Sequence, residues 1–88
     1  MDNKFIKAFD LIKQANSILL VTHYRPDGDA LASLCAMMET LNRLGKPCTA
    51  YCFDQPPPQY NFLPRIEEIT WQREGFNFSD FGLIITLD

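Results

Sequence analysis

The stretch Thr22-His23-Tyr24-Arg25-Pro26-Asp27-Gly28-Asp29-Ala30 places an imidazole and two carboxylates within seven residues, and His23 is the only histidine in the chain. Far along the sequence, the apolar run Leu83-Ile84-Ile85-Thr86-Leu87 closes on another carboxylate, Asp88. A mixed imidazole–carboxylate set suits borderline-hard divalent ions such as Mn²⁺, Zn²⁺ or Fe²⁺ better than Ca²⁺. Two such ions roughly 3.5–4 Å apart can clamp a phosphoryl group and activate a water for in-line attack on phosphorus. Arg25 adds a cation that could meet a phosphate oxygen. The chemistry expected of these residues is metal-assisted phosphoester hydrolysis, with His23, Asp27, Asp29 and Asp88 as metal ligands.

Those residues need a frame that brings them together. The short apolar run Ile18-Leu19-Leu20-Val21 precedes the histidine, and a helical pattern follows from about Asp29 to Leu44. The His-Asp stretch therefore reads as the turn between a strand and a helix. The strand, about Ser17 to Thr22, is continuously apolar, as expected of one covered on both faces. In the helix, Leu31, Leu34, Cys35, Met38 and Leu41 form a buried stripe, while Glu39, Asn42 and Arg43 face water. Gly45 stands where a C-terminal cap glycine belongs, and Pro47 stops any continuation. An N-terminal amphipathic helix over about Asn3 to Ala15 has Phe5, Ile6, Phe9 and Ile12 on one side. A second strand is expected over Thr49 to Phe53. The prolines Pro56-Pro57-Pro58 impose an extended loop, with a short helical turn at Tyr60 to Leu63. Ile69 lies in a short irregular strand, Gly75 to Phe81 in a loop or single turn, and Gly82 to Leu87 in the last strand.

Strands alternating with helices predict an α/β fold with a mainly parallel sheet and flanking helices. Ligands of such sheets bind beyond the carboxyl ends of the strands. His23 and Asp88 both follow a strand, so parallel neighbours would bring them to one edge. Gly28 lets the backbone turn tightly between Asp27 and Asp29. The N-terminus of the second helix offers amides and partial positive charge to a phosphate. Because the chain stops on a core strand, residues 1–88 are expected to be the N-terminal part of a larger α/β domain.

A net charge of −3 argues against a surface that holds nucleic acid by its own field. A nucleic-acid substrate would have to be held by metal ions or by further parts of the protein. The odd count of three cysteines, Cys35, Cys48 and Cys52, and the absence of a secretory leader point to a reducing, cytoplasmic setting. Cys48 and Cys52 have three residues between them, not the two of a paired metal motif, and fall on one strand face as buried thiols. The apolar runs are too short to span a bilayer, so no membrane partner is expected. The exposed edge of the last strand invites pairing with another chain, so self-association as a homo-oligomer is expected.

The pattern His23-x-x-x-Asp27-x-Asp29-Ala30 after an apolar strand resembles the first motif of the DHH phosphoesterases, and its Pro-Asp-Gly-Asp-Ala wording is closest to their oligoribonuclease branch. Asp88 closing Leu83–Leu87 resembles the second motif. The resemblance covers about Ser17 to Asp88. It implies a Mn²⁺-dependent phosphodiesterase or phosphomonoesterase acting on short oligonucleotides or nucleoside bisphosphates. It also implies that His23 and Asp27 hold one ion, Asp29 the other, and that Asp88 bridges both. Ala32 stands where the family commonly has glycine. The Asp-His-His motif, a later aspartate and the C-terminal substrate domain are absent, so residues 1–88 alone are expected to be inactive.

Each residue also has a structural reading. Asp29 could cap the helix, Asp27-Gly28 could be only a turn, His23 a hydrogen-bonded histidine, and Asp88 a polar strand end. Arg25 could be a solvated loop charge. Trp71, Phe76, Phe78 and Phe81 could stack bases, but read better as core. The alternative function is a non-catalytic nucleotide-binding or protein-interaction α/β module.

Overall fold

The computed structural model describes residues 3–22 and 27–87. In chain order it contains α1 (Asn3–Gln14), β1 (Ile18–Val21), α2 (Gly28–Arg43), β2 (Cys48–Tyr51) and β3 (Leu83–Thr86), with single 3₁₀ turns at Pro58–Tyr60, Ile66–Glu68 and Phe78–Asp80. The three strands form one parallel sheet in the order β2-β1-β3. The expected α/β architecture is therefore the one observed.

The central position of β1 follows from its sequence. Ile18, Leu19, Leu20 and Val21 are all buried, as a strand without polar alternation requires. On one face, Ile18 and Leu20 join Leu31, Leu34, Cys35, Met38 and Leu41 of α2, together with Ala50, Cys52, Ile66 and Ile69. Burying each of these larger aliphatic side chains contributes about 1.5–3 kcal/mol before the entropy of ordering it is counted. On the other face, Leu19, Val21 and Tyr51 are covered by Phe53, Phe76 and Phe81. An aromatic loop thus does on that face what a helix does on the first.

The helix ends are specified locally. At the C-terminus of α2, Gly45 adopts φ +75°, its N–H donates to the Asn42 carbonyl, and the Lys46 N–H donates to that of Leu41 (3.0 and 2.8 Å). This is the paired closure that a glycine just past a helix permits. Lys46 then turns its ammonium onto the C-terminal end of α1, donating to the carbonyls of Lys13 and, just past the helix, Ala15. The cation lies where the helix dipole is negative.

α1 departs from the expectation in one respect. It is amphipathic, but none of its residues is buried. Phe5 is 70% exposed and Phe9 51%, and contact with the core comes from Ile12 and, beyond the helix, Ala15. An apolar stripe on a helix states that something can be covered, not that the rest of the chain is placed to cover it.

The register between β1 and β3 is fixed at its start by Ser17. The Ser17 carbonyl accepts from the N–H groups of Gly82 and Leu83, both at 3.1 Å, and its hydroxyl accepts from Gly82 N–H at 2.9 Å. Ile18 is thereby set opposite Leu83 and Val21 opposite Thr86. On the other side, Thr70 extends the outer edge of β2 by exchanging backbone bonds with Ala50 and Cys52. Among the described residues nothing pairs with the outer edge of β3.

Candidate metal and phosphate site

Parallel pairing makes the carboxyl ends of β1 and β3 neighbours. The ladder continues past the strands, with Leu87 N–H donating to the Val21 carbonyl at 2.8 Å. Val21 is opposite Thr86, and His23 and Asp88 follow these two residues at the same distance in sequence. His23, Arg25 and Asp88 themselves lie outside the described residues. What the structure brings together is the pair of strand ends that carry two of the four expected ligands.

Asp27 and Asp29 are described. Asp27 is the N-cap of α2, with extended backbone (φ −97°, ψ −177°) and Oδ1 accepting from Ala30 N–H at 2.9 Å. Its carbonyl takes the first helical bond, from Leu31 N–H at 3.0 Å. The capping role weighed for Asp29 therefore belongs to Asp27. The helix starts one residue earlier than its hydrophobic pattern suggests, because a glycine preceding the first apolar residue carries no periodicity signal. Asp29 sits in the exposed first turn, where its charge complements the helix dipole. The cap bond uses one oxygen of Asp27 and leaves Oδ2 out of it, so Asp27 suits monodentate ligation.

Gly28 has a different physical cause from the one its sequence suggests. Its φ is not in the left-handed region. A side chain there would instead meet Tyr60: an added Cβ would lie 3.1 Å from Tyr60 Cε1, 3.5 Å from its hydroxyl and 3.6 Å from Cζ. The glycine makes room for the phenol end of a tyrosine.

Thr22, the residue before the histidine, is 4% exposed, and its Oγ1 is buried without a hydrogen-bond partner. By strand alternation it shares the α2-covered face with Ile18 and Leu20. A buried hydroxyl with no partner is costly and calls for an explanation at its position. Neither Thr22 nor Tyr60 stands out in the sequence as a site residue. Thr22 was legible only as the end of an apolar run. Tyr60 carried a faint signal, since the preceding prolines hold its approach to a narrow range of backbone angles.

Among the described residues no group of three or more His, Cys, Asp or Glu side chains is placed to hold a metal ion. The cysteines are unpaired and belong to the core around α2. Burial pushes all three thiols up, Cys52 to about 11, which makes them poor nucleophiles and poor ligands. The aromatic residues divide. Phe76 stacks on Tyr51 at 4.4 Å and on Phe81 at 5.7 Å as core, whereas Phe78 remains 38% exposed. The guanidinium of Arg73, which stands between Trp71 and Phe76 in the sequence, lies 5.6 Å from the Phe53 ring centroid, so one basic residue does interleave these aromatics. Trp71 is half-buried beside Gln55, Pro56 and Glu67, away from that cluster. No helix among the described residues is long and apolar enough to cross a membrane.

No family model matches the chain. It is similar to the bifunctional oligoribonuclease and PAP phosphatase NrnA of Thermus thermophilus, with 43% identity over 51 residues. The match covers 58% of this chain and spans 15% of the length of that relative.

Proposed function

We propose that this chain forms the N-terminal part of a DHH-type phosphoesterase, in which the carboxyl edge of the sheet holds divalent metal, with Mn²⁺ the expected ion. His23, Asp27, Asp29 and Asp88 are its ligands, and the substrate is a short oligonucleotide or nucleoside bisphosphate. The observation that carries this reading is the parallel register that ends β1 and β3 side by side, each two residues short of a ligand. The similarity to NrnA supports the same assignment. The donor set fits the metal, and the unpartnered Thr22 hydroxyl fits an edge that accommodates a further polar group.

When bound, the metal would supply Lewis-acid stabilisation of the phosphoryl oxygens and lower the pKa of a nucleophilic water. The chain's own contribution is orientation. Asp27 is held by its cap bond so that one oxygen remains outside it. Asp29 is held by the first turn of α2. The helix N-terminus favours the substrate's negative charge over water. Mn²⁺ titration calorimetry tests the assignment. Binding by the wild-type chain that disappears in both His23→Ala and Asp88→Ala is the expected result. Binding that survives both substitutions rules the shared edge out.

The Asp27 cap favours one second reading: a nucleotide-binding module in which the acidic residues are structural. Such a module takes up nucleotide equally with and without Mn²⁺, and tolerates His23→Ala.

A further inference from the structure

Tyr60, far from the His-Asp motif in sequence, is laid by the structure against Gly28. The contact involves a particular part of the ring. Cε1, Cζ and Oη are the atoms nearest to the place a Gly28 side chain would occupy. The polar end of the phenol, not its apolar base, is thus turned to the residue between Asp27 and Asp29. Tyr60 also packs on the α2-side core, so the apolar part of the ring is anchored there. Its backbone is fixed on both sides, with Tyr60 N–H donating to the Pro57 carbonyl at 3.1 Å and the Tyr60 carbonyl accepting from Leu63 N–H at 3.0 Å. A phenylalanine would fill the same core volume. What tyrosine adds is one O–H at the start of α2.

A second observation at the same edge is independent of Tyr60. Thr22 Oγ1, on the face that α2 covers, is buried without a partner. The Tyr60 hydroxyl thus lies beside the N-terminus of α2, which favours anions, and no hydrogen bond among the described residues accounts for it; the Thr22 hydroxyl just past β1 is likewise unpartnered.

We propose that Tyr60 is a substrate-contacting residue whose hydroxyl donates a hydrogen bond to a phosphate oxygen lying at the N-terminus of α2. This rests on the phosphoesterase reading and extends the substrate site beyond the metal ligands to the loop after the three prolines. A side chain at Gly28 would crowd the phenol, which would have to shift by a few tenths of an ångström.

The test uses the whole chain and adenosine 5′-monophosphate as probe, titrated with and without saturating Mn²⁺. Wild type is compared with Tyr60→Phe and Gly28→Ala, and circular dichroism melts report folding. Loss of one hydrogen bond to a charged acceptor predicts nucleotide binding weakened about tenfold or more in Tyr60→Phe, with Mn²⁺ affinity unchanged. Gly28→Ala should weaken it less than Tyr60→Phe does, by crowding the ring. Equal nucleotide affinity in wild type and Tyr60→Phe overturns the proposal while leaving the metal assignment intact. Nucleotide binding that needs Tyr60 but is indifferent to Mn²⁺ and to His23→Ala supports the tyrosine contact and rejects the metal. No nucleotide binding by folded wild type under either condition overturns the tyrosine contact.

Discussion

β1 and β3 are both four-residue apolar runs, Ile-Leu-Leu-Val and Leu-Ile-Ile-Thr, lying side by side in parallel register. Every residue of β1 is buried, whereas in β3 half-buried and exposed residues alternate and Ile84 is 45% exposed. Hydropathy does not distinguish the two strands. Position does: β1 has a hydrogen-bonded neighbour on each side and a cover on each face, and β3 has one neighbour among the described residues. The candidate site joins the ends of these unequal strands. One half stands on a strand buried along its whole length, followed by a capped helix. The other stands on an edge strand located chiefly by its pairing with β1 and by Ser17.

The comparison is broken most directly by truncating equivalent side chains. Leu20→Ala in β1 should destabilise by about 2–5 kcal/mol in urea unfolding, through lost burial and the cavity left behind. Ile84→Ala in β3 should cost less than about 1 kcal/mol, since its side chain is already in partial contact with water. Similar losses would show β3 to be as embedded as β1. Next in size, Asp27→Ala removes the cap of α2 and should cost about 1 kcal/mol, whereas Asp27→Asn should retain most of that stability. If calorimetry shows that Asp27→Asn nevertheless loses Mn²⁺ affinity, the cap and ligand roles of the residue are separated.

Ser17→Ala sharpens the comparison from the edge side. It removes the hydroxyl that accepts from Gly82 N–H and should cost about 0.5–1.5 kcal/mol. Hydrogen exchange should accelerate at Leu83 and Leu87 more than at the amides of β1. Thr22→Val tests the end of β1: replacing an unpartnered buried hydroxyl by a methyl should leave the melting temperature unchanged or slightly higher. A marked drop would reveal a partner for that oxygen in the folded chain. The smallest effect concerns acid. A hydrogen bond from Arg65, then one from Arg43, holds the Glu39 carboxyl below the ordinary glutamate value. Its contribution is present above the unfolded-state pKa and is lost as pH falls through the folded-state pKa. Stability of Glu39→Gln should therefore be flatter than wild type across that acidic window, with little difference near neutrality.

Much of this architecture is legible in the amino-acid order. The five buried positions of the α2 stripe, the glycine closure at Gly45 and the turn at Phe78–Asp80 follow from local rules that the rest of the chain does not override. Three features are not legible, each for a physical reason. The choice between Asp27 and Asp29 as cap depends on a shift of one residue that hydrophobic period cannot resolve. The need for Gly28 comes from a tyrosine more than thirty positions away, through space rather than through a turn. The exposure of α1 depends on what is available to cover it, which an amphipathic pattern does not specify. Of the candidate site, the types and spacing of Asp27 and Asp29 and the strand ends near them are readable, while Thr22 and Tyr60 emerge only from packing.

Cys52 has a practical consequence. Its side chain is fully buried at the junction of the sheet and α2, and its thiol is pushed up to about 11. An alkylating reagent that consumes thiolates meets almost none while the domain is closed. Each labelling event at this sulfur therefore records an opening of the molecule, and the protein carries a built-in clock for its own breathing.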